Sequence, residues 1–139
     1  MSPTPRAATA EVALSFVVPL FNSPQTIAGV VRDIEALSVD GGHEIILVND
    51  GSSDTTGSVC RALVRQSPIP IMLVEHARNF GEHNAVLTGW RHARGQYIVN
   101  LDDDGQNPPD EGLRLFEHAR ATGMDVVFGH YEVKQHSPW

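Results

Sequence analysis

The sequence contains a single cysteine, Cys60, among 139 residues. An internal disulfide is therefore excluded, which fits a reducing compartment. Cys60 lies in a stretch of helical periodicity, where a thiol packs as a small inert hydrophobe. Positive charge is also scarce, with ten Lys and Arg against seventeen Asp and Glu, for a net charge of −7. Without a basic face to replace phosphate counterions, non-specific nucleic-acid binding is not expected. No apolar run approaches the roughly 20 residues that span a bilayer. The seven histidines lack the short paired spacing of a zinc site. No Gly-x-Gly-x-x-Gly follows the first strand and no Gly-Lys-Ser/Thr occurs, so the dinucleotide fingerprint and the P-loop are absent. A Gly-x-Ser-x-Gly elbow is missing too, and Cys60 has no strand-end position, which leaves covalent acyl chemistry without support.

What is present reads as one soluble globular domain with 41% hydrophobic residues. Residues 1–12 carry Ser, Thr, Pro and Ala without an apolar core and read as a loose tail, leaving 13–139 as the domain. From Leu14 onward strand-like and helix-like segments alternate. Strands are expected at Leu14–Phe21, Glu44–Asn49, Ile71–Val74, Tyr97–Leu101 and Met124–Phe128. Helical periodicity occupies Gln25–Leu37, a stretch capped by Asp54 or Thr55 and running through Val59, Leu63 and Val64, then Gly81–Arg94, and a helix begun by Pro108 and Pro109. Continuous apolar strands between amphipathic helices predict a three-layer α/β, Rossmann-like domain with a mostly parallel central sheet. Ligands of such sheets bind at the carboxyl ends of strands, near the switch point.

The special residues fall at those ends. Leu101-Asp-Asp-Asp-Gly-Gln-Asn-Pro-Pro-Asp110 places three carboxylates directly after the buried run Gln96-Tyr-Ile-Val-Asn-Leu101. Side chains of an extended segment alternate, so Asp102 and Asp104 share one side and Asp103 takes the other. Two carboxylates on one face are costly unless a cation neutralises them, and hard oxygen donors suit Mg²⁺ or Mn²⁺. A solvated acidic turn is the alternative. Gln106 and Asn107 are alternative caps for the following helix, and Asp50-Gly51 is a common turn pair.

Three segments, Val48-Asn-Asp-Gly-Ser-Ser-Asp54, Arg78-Asn-Phe-Gly81 and Asp102-Asp-Asp-Gly-Gln-Asn-Pro-Pro109, resemble the signature segments of inverting family 2 glycosyltransferases. The likeness is to the polyprenyl-phosphate branch, which includes dolichyl-phosphate mannose synthase and undecaprenyl-phosphate sugar transferases, and it runs from about Leu14 to about Gly129. The resemblance implies a GT-A fold, a nucleotide-diphosphate sugar donor, and Mg²⁺ or Mn²⁺ held by Asp102, Asp104 and Gln106, with Asp104 in the catalytic role. It implies substrate contacts from Pro19, Phe21 and Asn22 near base and ribose, Val48 beneath the base, Asp50 against the base, Arg78 along the nucleotide, and Asp102 and Asp103 in the acidic loop. Ser23 stands where relatives often carry an acid that touches the ribose. Tyr131 stands near a position where the branch often carries an arginine, with Lys134 the nearest cation. The implied acceptor is a lipid phosphate at a membrane surface, which places the protein in the cytoplasm or at the cytoplasmic face of the membrane. A homo-oligomer is left open. Relatives continue past the position of Trp139, so the chain is expected to be C-terminally incomplete. The alternative from another class is a truncated nucleotide-sugar-binding module without transferase activity. An α/β nucleotidyltransferase would want a Gly-rich basic loop after the first strand, which Leu20-Phe-Asn-Ser-Pro24 does not provide.

Overall fold

A computed structural model describes residues 12–123. The expected tail, the fifth strand at Met124–Phe128, and Tyr131 and Lys134 lie outside these residues, apart from Val12. Four strands, β1 (Leu14–Leu20), β2 (His43–Asn49), β3 (Ile71–Glu75) and β4 (Tyr97–Asn100), alternate with four helices. These are α1 (Ile27–Glu35), α2 (Thr56–Gln66), α3 (Glu82–His92) and α4 (Pro109–Thr122). Every neighbouring pair is parallel, in the order β3-β2-β1-β4. The chain therefore winds outward from β1 to β3 and then returns to the other side of β1, which puts the switch point between β1 and β4.

The strands form where apolar residues are continuous, and β1 and β2 are buried along their whole lengths. Alternation divides their side chains between two layers. Leu14, Phe16, Val18, Leu20, Ile45 and Leu47 pack with Ile27, Val31 and Ile34 of α1, Cys60 and Leu63 of α2, and Phe116 of α4. Val17, Ile46 and Val48 face the opposite way and meet Ala85 of α3. Cys60 is buried on α2, and its thiol is pushed up to about 12, chiefly by burial and then by Glu75, against an opposing effect of Arg61. A thiol with that pKa stays protonated near neutrality and is a poor nucleophile.

The amino-terminal edge of the sheet is fixed by a buried ion pair. Glu44 is 2% exposed and accepts from the Arg94 guanidinium at 2.9 and 3.1 Å, from the Arg94 backbone at 2.7 Å, and from Ser15 Oγ at 2.7 Å. Each member sits on a different part of the sheet, so the network locks the register of β1 against β2 and the approach to β4. None of the described helices is long and apolar enough to cross a membrane.

Helix α3 lies directly on the sheet because Gly89 has no side chain. A Cβ there would come within 2.3 Å of Val17 Cγ1, the branch of a buried, rigid side chain. Gly89→Ala gains helix propensity of at most about 1 kcal/mol. The overpacking opposes it with about 1–3 kcal/mol. Urea unfolding is expected to show net destabilisation; a variant as stable as the parent would mean that α3 stands farther from β1 than this structure places it.

Candidate functional site

Because all four strands are parallel, the loops that leave their carboxyl ends share one edge. They run from Phe21 to Thr26, from Asp50 to Thr55, from His76 to Gly81, and from Leu101 to Pro108. At that edge backbone N–H groups have run out of strand partners, and side chains supply the missing acceptors.

Strand β1 extends past β4, since their register ends at Val17↔Asn100 while β1 continues to Leu20. Leu101 N–H donates to Val17 O, so the odd-numbered residues of β1 point their backbone groups toward β4. Pro19 lies in that unmatched stretch, where its missing donor costs no ladder bond. Phe21 N–H, next in the series, donates to Asp103 Oδ2 at 3.2 Å. Thr26 Oγ1 donates to Asp103 O at 2.6 Å. Asp103 is only 4% exposed. The middle acid is thus turned inward as a brace between the first and fourth loops, although Asp103 and Asp104 lie in a turn and not in the extended run from which the alternation was expected.

Asp102 and Asp104, to either side of Asp103 in the chain, are half-buried. Asn107 Nδ2 donates to Asp102 Oδ2 at 2.9 Å, and Gln106 N–H donates to Asp104 Oδ1 at 3.0 Å. Helix α4 begins with Pro108 as its cap and Pro109 in its first turn, so neither Gln106 nor Asn107 occupies the capping position considered for them. The Gln106 side chain is exposed beside the acids. Among the described residues no group of three or more His, Cys, Asp or Glu side chains is arranged to hold a metal ion. A carboxylate pair with an amide oxygen suits a hard cation that completes its shell with water and phosphate oxygens, so the donor set fits Mg²⁺ or Mn²⁺.

The second and third loops are joined through Asp50, which has no exposed surface. Its Oδ1 accepts from Phe80 N–H at 3.0 Å and lies 2.8 Å from His76 Nδ1, while Oδ2 accepts from Gly81 N–H at 2.9 Å. His76 Nε2 in turn lies 2.9 Å from Thr88 Oγ1 on α3. The Phe80 ring meets His76 edge to face at 5.4 Å, and the Arg78 guanidinium lies 4.5 Å above it. Gly51 allows the two loops to touch: it has φ +70°, and a Cβ would fall 2.2 Å from the Arg78 carbonyl carbon. Asp50 was expected to meet a base; in this structure it also holds the third loop in place.

The first and second loops are tied by Asn22, whose φ of 51° puts a non-glycine residue in the left-handed region. Its N–H donates to Ser52 Oγ at 3.0 Å and its Oδ1 accepts from Ser53 N–H at 3.0 Å. Ser23 N–H donates to Thr56 Oγ1, and Asp54 Oδ1 accepts from both the backbone and the hydroxyl of Thr56. Ser23 Oγ is buried and has no hydrogen-bond partner among the described residues. Val48 lies in the core against α3, and Pro19 is buried beside it in register. Phe21 is half-buried and Arg78 exposed. Sequence reasoning missed His76, Phe80, Thr88 and Asn107, and only the position of His76 just after a strand hinted at its place.

Residues 15–139 match the family described as glycosyl transferase family 2. A Pseudomonas aeruginosa (strain LESB58) protein named undecaprenyl-phosphate 4-deoxy-4-formamido-L-arabinose transferase is 37% identical over 128 residues, covering 91% of this chain and 38% of the relative. A protein of the same name from Sodalis glossinidius is 39% identical over 116 residues, covering 82% and 35%. The chain thus spans well under half the length of these curated relatives. Among solved structures, the mannosyltransferase PcManGT from Pyrobaculum calidifontis, in complex with GDP-Man and Mn²⁺, superposes with a TM-score of 0.60 at 29% identity. That match covers 69% of this chain and 28% of the other. Residues 1–349 of TarS from S. aureus give a TM-score of 0.64 at 16% identity over 78% of this chain and 33% of theirs, a likeness of fold alone. The α/β arrangement is that of GT-A glycosyltransferases.

If Asp103 stands in for a strand carbonyl, the hydrogen bond rather than the charge is what matters. Asp103→Asn keeps an acceptor for Phe21 N–H, whereas Asp103→Ala leaves that group unsatisfied at a cost of about 1–3 kcal/mol. Urea unfolding, with amide exchange at Phe21, is expected to separate the two variants; equal losses from both would assign the effect to charge.

Proposed function

This chain belongs to glycosyl transferase family 2, and from that premise we propose that it forms the donor-binding part of a glycosyltransferase that takes a nucleotide-diphosphate sugar and a divalent cation. The observation that carries this reading is the convergence of all four strand-end loops at one edge, with Asp102 and Asp104 partly exposed and Asp103 withdrawn into the fold. The GDP-Man and Mn²⁺ in the Pyrobaculum structure support the same ligand class.

In this reading Asp102, Asp104 and the Gln106 amide hold Mg²⁺ or Mn²⁺ against the donor diphosphate. When bound, the cation supplies Lewis-acid stabilisation of the charge that develops on the leaving diphosphate. Asp104, the residue assigned to catalysis, fixes the diphosphate side of the reacting centre. Phe21 and Asn22 border the ribose, with the Ser23 hydroxyl beside them, while Pro19 and Val48 form the floor of the base end. Arg78, stacked on Phe80, follows the nucleotide. Asp50 recognises a ring N–H of the base, as uracil or guanine offers and adenine does not. Because its oxygens already accept from Phe80 and Gly81, a ring N–H reaching Asp50 displaces or shares with one of those loop amides.

For the whole protein we assign transfer of a hexosyl group, with inversion, to a polyprenyl phosphate at the cytoplasmic face of the membrane. The names of the curated relatives support that acceptor, whereas the sugar they name, an arabinose, is a pentose and not a hexose. A phosphate acceptor is already an anion, so the attack needs no general base.

Asp104→Asn tests the metal assignment. Calorimetry with UDP, GDP and ADP in the presence of Mn²⁺ is expected to show nucleotide affinity lowered about tenfold or more by the substitution, as befits loss of a charged ligand. The unfolding midpoint should hardly change. A variant that binds as the parent does in Mn²⁺ would remove Asp104 from the metal site.

A further inference from the structure

Asp50 is buried completely, yet the donor reading asks its carboxylate to serve the base as well as the loop. A buried carboxylate whose loop partners give way to a ligand needs a fixed donor that stays. His76 is placed to be that donor. It leaves the end of β3, next to β2 in the sheet, and its ring bridges two elements: Nδ1 reaches Asp50 Oδ1 at 2.8 Å and Nε2 reaches Thr88 Oγ1 at 2.9 Å. An ionised carboxylate only accepts, so Nδ1 carries the proton in this contact. The Thr88 hydroxyl either donates to Nε2 or accepts from it, so the ring is held in either arrangement. The Phe80 ring packs edge-on against the same imidazole, and His76 N–H donates to Asn49 O at 2.9 Å.

We infer that His76 is a positioning residue for the nucleotide site, holding the Asp50 carboxylate in its base-facing orientation and thereby setting where the Arg78–Gly81 loop lies. The inference rests on the donor reading above. It assigns to His76 the Asp50 side of the contact as the working bond and to Thr88 the role of fixing the ring plane. Loss of the Nδ1 donor frees Asp50 to rotate, and the amides of Phe80 and Gly81 then lose a fixed acceptor.

Isosteric substitutions separate the two ring nitrogens. The amide nitrogen of asparagine falls near Nδ1, and that of glutamine near Nε2. His76→Asn therefore restores the Asp50 contact and loses Thr88, whereas His76→Gln does the reverse. Two readouts are taken on the full chain: affinity for UDP and GDP with Mn²⁺, and amide hydrogen exchange at Phe80 and Gly81 without nucleotide. His76→Ala and His76→Gln are expected to weaken nucleotide binding about tenfold and to speed exchange at both amides, with His76→Asn recovering most of each effect. If His76→Gln matches the parent in both readouts, or if all three variants lose affinity only in proportion to their unfolding midpoints, the inference is wrong. Should His76→Ala and His76→Gln fail to fold, His76→Asn decides alone, because it keeps the donor to Asp50 and loses only Thr88; fast exchange at Phe80 and Gly81 in a folded His76→Asn then overturns the inference. The exchange readout contains no nucleotide. A parent protein that binds neither UDP nor GDP would therefore defeat the donor reading, while the exchange pattern still decides the role of His76.

Discussion

Strand β1 outruns its neighbour β4, and the site grows out of that mismatch. Past Val17 the backbone groups that face β4 meet no strand. Pro19 removes one donor from the unmatched stretch, and Asp103 accepts the next from Phe21. A side-chain carboxylate thereby continues the ladder where β4 has turned away. Asp103 is withdrawn into that brace, while Asp102 and Asp104, its neighbours in the chain, remain partly exposed. Under the proposed function, three successive acids divide into one structural group and two ligand groups without a change of residue type.

The same rule governs the other half of the edge. At the end of β2 the chain turns at Gly51, and the amides of Phe80 and Gly81, just before α3, need acceptors. Asp50 supplies both oxygens to them from within the core. Its negative charge lies close to the amino-terminal end of α3, where the helix dipole favours it. His76 and Thr88 complete the arrangement from β3 and α3, so each of the four loops is tied to at least one other before any ligand arrives. Such prior fixing lowers the ordering cost of binding.

Much of the fold was legible in the sequence, because the strands read as largely apolar runs, but only β1 and β2 are buried along their lengths; β4, expected as a buried run, buries only Val99. Their expected limits differ from those observed by a residue at one end: β1 stops at Leu20 rather than Phe21, β2 begins at His43, β3 reaches Glu75, and β4 stops at Asn100. Two helices are shorter than their periodicity: α1 occupies Ile27–Glu35 within Gln25–Leu37, and α3 occupies Glu82–His92 within Gly81–Arg94. The strand-end location of Asp50 was also legible, and so was the separation of Asp103 from its two neighbours, although the segment is a turn and not an extended run. The brace from Asp103 to Phe21 and the contact between Asp50 and His76 were not. They join residues far apart in the chain, and only the register of the sheet brings them together. Asn107 was considered as a helix cap because its residue type suits that role, but Pro108 holds the position and the amide turns to Asp102 instead.

The central claim is that the outer acids serve the ligand while the middle one serves the fold. Crystals grown with Mn²⁺ and UDP or GDP test it most directly, by anomalous scattering at the manganese edge. The account predicts a peak bonded to carboxylate oxygens of Asp102 and Asp104, with Asp103 still accepting from Phe21 N–H. Manganese bonded to Asp103, with that brace released, would contradict it.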